Sequence, residues 1–269
     1  MEFNNELRNF VIGNRTKNLP ADCEELYVID PDSEEETNTS QYVDKDDCFV
    51  VSTEALKWLA LAQGAQNIRP ILAFSKLEFV PEAEGRPDWM VGTWIIATNT
   101  HVLHAVRVGE IIPENPEDLE MLIDTEQILK NLKAIKGEGV VINARNKKVL
   151  YPARMKKGES TFYKIKGENW STDPRGKAFS DNPRGFPRWV NVIPKVDDPE
   201  LRLGYLPRMS VNRAYLANAL AMPSFSGESG IHLDILCTTG TRPMLVVDSA
   251  YRAPRCMAVV MPMSRLEVI

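Results

Sequence analysis

No stretch of the 269-residue chain approaches the ~18–20 consecutive apolar residues that a membrane span requires. The opening residues, Met1-Glu2-Phe3-Asn4-Asn5-Glu6, lack the basic-then-apolar pattern of a secretory leader. The expected compartment is therefore the cytoplasm, with no membrane partner. Cysteine is scarce: Cys23, Cys48, Cys237 and Cys256 form no CxxC pair, which argues against zinc and against a disulfide framework. Histidine is scarcer still. His101 and His104 stand three apart in an expected hairpin, where they face opposite sides of a strand and make a poor metal pair, and His232 is isolated. GxSxG, HExxH, the P-loop and GxGxxG are all missing, and the carboxylates show no pairing that acid/base chemistry would demand. These absences point away from an enzyme, and no metal or cofactor is expected.

What is present suits an ordinary globular protein. Hydrophobic residues make up 43% and charged residues 26% of the chain, with 5 Trp, 7 Tyr and 9 Phe, too apolar for a disordered chain. The net charge is −5, but it is unevenly spread. Residues 1–50 hold 13 Asp/Glu against 4 Lys/Arg, whereas residues 130–177 hold 13 Lys/Arg against 4 Asp/Glu. The chain as a whole does not coat nucleic acid, although one basic face remains available. The acidic stretch Asp30–Ser40 has no apolar period and reads as a solvated loop.

Periodicity sorts the remainder into a repeated plan. Phe49–Val51 reads as a short strand, Ser52-Thr53-Glu54 as a helix cap, and Leu56, Leu59 and Leu61 as the apolar positions of a helix stopped at Gly64. Strands are expected at Ile71–Phe79, Trp89–Ala97 and His101–Val108. The order recurs with Met121–Ile123 as strand, Asp124 or Thr125 as cap, and a helix carrying Ile128, Leu129, Leu132 and Ile135. Strands follow at Gly139–Asn143, Lys148–Pro152 and Thr161–Ile165. After a Gly/Pro/Arg-rich loop at 167–185, a third unit has a strand at Tyr205–Met209 and a helix over Val211–Ala221. Its later strands are expected at Ile231–Cys237, Pro243–Val247 and Met257–Met261. The class is α+β, built from β-α-β-β-β units with helices on one face of antiparallel sheets.

Four motifs in this framework resemble the bacterial sliding clamp, the beta subunit of DNA polymerase III. They are Asn67-Ile68-Arg69-Pro70-Ile71-Leu72, Ala97-Thr98-Asn99-Thr100-His101-Val102-Leu103-His104, Phe186-Pro187-x-Trp189-x-x-Val192-Ile193-Pro194, and Val259-Val260-Met261-Pro262-Met263. The resemblance covers roughly residues 47–269 and implies a DNA-clamp fold. Family clamps have three domains of two repeats each, closed into a ring. This chain departs from that plan: an acidic segment at 1–46 has no clamp counterpart, a two-repeat clamp-like domain spans 47–194, and a half-domain with a tail spans 195–269. The shortened plan suits a phage-type or mobile-element member. Its odd half-domain needs a partner for its sheet edge, which the N-terminal segment is a candidate to supply.

The resemblance implies a processivity factor or clamp-like replication accessory. It would bind duplex DNA, assemble as a homo-oligomer, and hold a DNA polymerase or clamp loader through a linear peptide in an apolar pocket. Lys130, Lys133 and Lys136 recur every third residue opposite Ile128 and Leu132, as a phosphate-facing helix requires. Lys57 and Arg213 on the other helices, and Arg145, Lys147 and Lys148 at a hairpin tip, are further DNA candidates; the same lysines also suit a helix or turn that needs only solubility. Carried over from the family, the peptide pocket falls on Leu72, Thr98, Thr100, His101, Leu103, Pro187, Val192, Val259, Met261, Pro262 and Met263. Core packing explains Leu72, Leu103 and Val192 equally well. Thr100 and Val102 stand where the family has Gly and Arg. The alternative reading is a clamp-fold adaptor or inhibitor that binds replication proteins without encircling DNA.

Overall fold

The computed structural model describes residues 28–29, 48–65, 69–84, 86, 88–109, 115–135, 139–145, 147–152, 163–165, 185–193, 210–223, 233–236, 242–248 and 254–263. Expectations at Tyr205–Met209, Lys136, most of 1–46, the 167–184 loop, His232 and the 264–269 tail lie outside these residues.

The first repeat begins with β2 (Cys48–Ser52), which runs directly into α1 (Thr53–Ala60). Ser52 is extended, and its hydroxyl accepts the Ala55 N–H at 3.1 Å, which satisfies one of the donors a helix start leaves open. Ala55, Leu56, Trp58 and Leu59 are buried, at the spacing of one helix face. Beyond the helix, Gly64 donates to the Leu72 carbonyl at 2.8 Å, and a Cβ on it would stand 2.9 Å from Leu72 Cβ. This close approach, more than the helix stop, is what glycine provides there.

Next come β3 (Ser75–Val80), β4 (Gly92–Thr98) and β5 (Val102–Gly109). The strand expected from Ile71 starts four residues later, because Pro70 opens a 3-10 turn over Pro70–Ala73. Proline has no N–H to give a ladder and a φ suited to the first helical position. Trp89 likewise sits in a 3-10 turn, Asp88–Met90, ahead of β4. The second repeat consists of the short α2 (Pro116–Leu119), β6 (Met121–Ile123), α3 (Thr125–Ile135), β7 (Gly139–Asn143), β8 (Lys148–Pro152) and β9 (Tyr163–Ile165). Asp124 is the cap of α3, its carboxylate accepting the Gln127 N–H at 3.0 Å. Thr125 is buried and shares a 2.8 Å hydrogen bond with Ser75. In the third unit Asn212 caps α4 (Arg213–Leu220), followed by β10 (Leu233–Leu236), β11 (Met244–Asp248) and β12 (Cys256–Val260).

Strand pairing interleaves the repeats. β2 of the first repeat pairs with β7 of the second, and β6 of the second pairs with β3 of the first, both antiparallel. β12 lies antiparallel beside β5, giving a seven-stranded sheet in the order β10-β11-β12-β5-β4-β3-β6. That sheet runs without a break from the 47–194 region into the 195–269 region. The other sheet has the order β1-β9-β8-β7-β2, where β1 is Val28–Ile29. The described part of the N-terminal segment therefore joins β9, in parallel, and not the edge of the half-domain at β10.

The sheets and helices enclose one core. Leu56, Trp58 and Leu59 of α1, Ile128 and Leu132 of α3 and Ala219 of α4 pack against alternate residues of the large sheet, including Leu77, Ile95, Val106 and Ala258, and against Val51, Val140 and Ile142 of the small sheet. The opposite face of the large sheet carries Trp94, Ile96, Leu103, Ala105, Met257 and Val259, closed by Phe186, Trp189 and Ile193. Alternation along β5 thus serves both faces.

His104 points into the first core. Its ring stacks on Trp58 with centroids 4.1 Å apart, and Nδ1 lies 2.7 Å from the Trp58 carbonyl. That assigns the proton to Nδ1 and leaves Nε2 bare, with no hydrogen-bond partner. Burial lowers the pKa from 6.5 to about 4, opposed by the Trp58 hydrogen bond. The unfolded chain therefore binds the proton first as pH falls. Native stability is at its full value above pH 6.5 and declines by about 3 kcal/mol on the way to pH 4. Urea melts at stepped pH should show this decline, and His104→Phe should flatten it across that window whatever its effect at pH 8.

Candidate nucleic-acid and partner interfaces

The three longer helices lie side by side with α1 in the middle. α1 packs on α3, and the Trp58 indole N–H donates to the Asn218 carbonyl of α4 at 2.8 Å. With their apolar sides in the core, they turn outward Lys57 from α1, Lys130 and Lys133 from α3, and Arg213 from α4. The exposed charged residues of these helices are those four cations and two carboxylates, Glu54 and Glu126. Lys130 pairs with Glu126 at 2.8 Å across one helical turn, and this hydrogen bond and charge push its pKa up. The face is cationic but not densely so.

The hairpin candidates are placed differently. Arg145 is exposed at the β7–β8 turn. Lys147 has a left-handed backbone, φ 52°, and its ammonium donates to the carbonyls of Asp118 and Glu120 at 2.6 and 2.7 Å. A cation against carbonyls left open at the end of a helix is a structural contact, so Lys147 holds α2 to the hairpin. Lys148 lies in β8, and Lys136 falls outside the described residues.

The pocket candidates gather chiefly on the second face of the large sheet. Leu72, Leu103 and Val259 are buried there, with Val192 and Met261 half-buried against them and Pro187 half-buried in the adjoining segment. Thr98 shares that face by alternation with Ile96. Its hydroxyl donates to the Val102 carbonyl at 2.8 Å and accepts the Thr100 N–H at 3.1 Å. The Asn99 side chain accepts the N–H groups of His101 and Val102, both at 3.0 Å, an Asx turn that shapes the β4–β5 tip.

His101 departs from the cluster. Its ring stacks on Tyr215 of α4 with centroids 5.9 Å apart, while its carbonyl accepts the Met261 N–H at 2.9 Å. Pro262 bridges to Val211, the Met263 N–H donates to the Ser210 carbonyl at 2.7 Å, and Met263 is 54% exposed. The 261–263 backbone is thus held between the β4–β5 tip and the lead-in to α4. The residues beneath the pocket candidates carry no expected site role in the sequence. Trp94 meets Trp189 edge-on, with centroids 6.1 Å apart, and its indole N–H donates to the Met90 carbonyl at 2.7 Å. The aromatic spacing of Phe186-Pro187-x-Trp189 is the sequence signal for the second of these rings. Among the described residues no group of three or more His, Cys, Asp or Glu is placed to hold a metal ion.

No protein-family model matches the sequence, and no curated protein matches it. Among solved structures, the chain is similar to the DNA polymerase III beta chain of Streptococcus pneumoniae, at 16% identity and TM-score 0.46 over 86% of this chain and 68% of that one. It is similar to the DNA polymerase sliding clamp of Bacillus subtilis, at 15% and 0.44 over 83% and 66%. It also resembles the Helicobacter pylori beta clamp in complex with carprofen, at 12% and 0.48 over 83% and 68%. The chain spans about two thirds of the length of these structures. All three are bacterial, which gives no support to the phage-type origin expected from size. With TM-scores below 0.5, the functional reading rests on the chain's own geometry.

Thr100 has φ 77°, a conformation costly for a β-branched residue and open to glycine. Thr100→Gly should raise stability by about 0.5–1 kcal/mol in thermal denaturation, net of the added freedom of the unfolded chain.

Proposed function

We propose that the protein is a clamp-like replication accessory, which holds duplex DNA against the α1/α3/α4 face and receives a polymerase or loader peptide on the apolar face around Met261. The observation that carries this reading is the placement of the two surfaces on opposite sides of one seven-stranded sheet. Cations on flexible stems lie on one side, and on the other the half-buried Val192 and Met261 rim an apolar face that Phe186, Trp189 and Ile193 cover. Lysines and an arginine on helix faces contact phosphates without reading bases, as sliding requires. Four cations diluted by two carboxylates give weak attraction, so retention would come from encirclement by a homo-oligomer in the cytoplasm. Methionine adapts to more than one peptide side chain, which suits a surface shared by several partners.

A second reading, an adaptor or inhibitor that never encircles DNA, draws on the same dilution of charge and on the engagement of Lys147 with backbone carbonyls. Light scattering and gel filtration with nicked circular and linearised plasmid separate the two. An oligomer retained on circles and lost from linear ends is expected. Lys130→Glu with Lys133→Glu should lower the slope of log affinity against log salt by about 2, at ~0.9 per phosphate contact. A chain indifferent to DNA in either form would sink the clamp reading and leave the adaptor.

A further inference from the structure

We propose that two copies of the chain pair through their third units, α4 of one lying antiparallel against α4 of the other about a two-fold axis. The contact goes beyond the DNA and peptide readings and stands without either.

The first two units show what the third lacks. α1 packs on α3, and β3, the first strand after α1, lies between β4 and the second unit's β6. The third unit repeats the order with α4, β10, β11 and β12. Its β10, the first strand after α4, pairs among the described strands only with β11. One flank of α4 faces α1 and the other has no described helix beside it. Tyr215 and Asn218 mark the first flank: the Tyr215 ring stacks on His101, and the Asn218 carbonyl accepts the Trp58 indole N–H. Leu216 and Leu220, one turn apart, mark the second. The core runs out on this second side. Leu216 and Leu233 are half-buried at its margin, while Leu220 is 41% and Ile235 44% exposed. By alternation along β10, Ile235 shares the helix side of the sheet with Leu233.

Charge selects the occupant. The exposed residues of α1 are Glu54 and Lys57, and those of the described part of α3 are Glu126, Lys130 and Lys133; on α4 they are Arg213, Ala214, Ala217 and Leu220. A two-fold contact sets a surface against its own copy, so a flank whose middle carries no charge is the one that can meet itself. Arg213 gives the pairing its direction. It is the first residue of α4, in a turn that holds no acidic side chain, where the helix dipole disfavours a cation. Antiparallel packing at an interaxial distance of about 8–10 Å carries it to the last turn of the second copy's α4, where the dipole attracts it. Leu220 of that copy then lies beside Arg213, and the two Leu216 side chains meet near the axis. Three units in one chain become six in the pair.

The test is light scattering of the full chain without DNA, from nanomolar to high-micromolar concentration, with chemical cross-linking beside it. The native chain should pair within this range. Leu220→Arg sets a cation against Arg213 of the second copy and should raise the concentration needed for pairing at least tenfold. Adding Arg213→Glu should restore it, because antiparallel order places position 213 against position 220. Ala217→Cys, near the middle of α4, should join to itself through a short bis-maleimide well above the background from the native cysteines, and Glu126→Cys on α3 should not. The pairing is overturned if the native chain stays monomeric throughout, if Leu220→Arg associates like the native chain, or if Ala217→Cys cross-links no more than Glu126→Cys. The antiparallel order is overturned if Arg213→Glu fails to restore the Leu220→Arg chain. Should Leu220→Arg lose its native circular-dichroism spectrum, the Ala217→Cys cross-link decides alone, its presence supporting the contact and its absence rejecting it.

Discussion

The antiparallel seam between Cys256–Val260 and Val102–Val106 is the contact on which both surfaces depend. It pairs Ala258 with His104 and Val259 with Leu103, so one residue of each neighbouring pair serves the helix side and the next serves the apolar side. A slip of one residue would carry Leu103 and Val259 into the helices and strip His104 from Trp58. Each face thereby fixes the register for the other. Trp58 extends the constraint: stacked on His104 and bonded to Asn218, it positions α1 and α4 from the same strand pair.

A second constraint comes from strand exchange within the first two repeats. Because β2 completes the sheet of the second repeat and β6 that of the first, neither repeat can bury its apolar strands alone, and α1 and α3 are brought side by side. The Ser75–Thr125 hydrogen bond sits at this junction, buried between β3 and the start of α3. A buried hydroxyl pair satisfied in only one arrangement adds direction to contacts that hydrophobic burial leaves non-directional. The outward placement of Lys57 beside Lys130 and Lys133 is a consequence of the exchange, since the helices' other sides are spent in the shared core.

Much of this architecture is legible in the sequence. Ser52 caps the first helix as its pattern predicts, Asp124 is the one of the two expected candidates that caps the second, and Met121–Ile123, Gly139–Asn143 and Lys148–Pro152 fall on the expected strands, whereas the first helix ends at Ala60, before Gly64. Local pattern misplaces Ile71–Ala73 and Trp89, because their apolar residues satisfy a strand period while Pro70 and the backbone geometry favour a 3-10 turn. Strand exchange is not legible, since the partners lie some ninety residues apart for β2 and β7 and some forty-five for β3 and β6, and leave no local trace. The cluster of Leu72, Leu103, Val259 and Met261 follows from the resemblance, but His101 does not join it: Tyr215, whose spacing marks it only as a helix core position, draws the imidazole to the helix side. Lys147 reads as a turn cation, and only the structure shows its ammonium between two carbonyls.

The charge asymmetry acquires a spatial meaning through the β1–β9 pairing. In sequence, the acidic first fifty residues and the basic 130–177 stretch are far apart; in the fold, Ile29 stands beside Lys164, so the acidic stretch enters the molecule at the basic repeat. A net charge of −5 therefore conceals two opposed regions joined at one sheet edge. Salt screens every such contact. Raising ionic strength damps the field of Lys57, Lys130, Lys133 and Arg213 on the helix face, and the Glu126–Lys130 pair that dilutes this field is screened along with it.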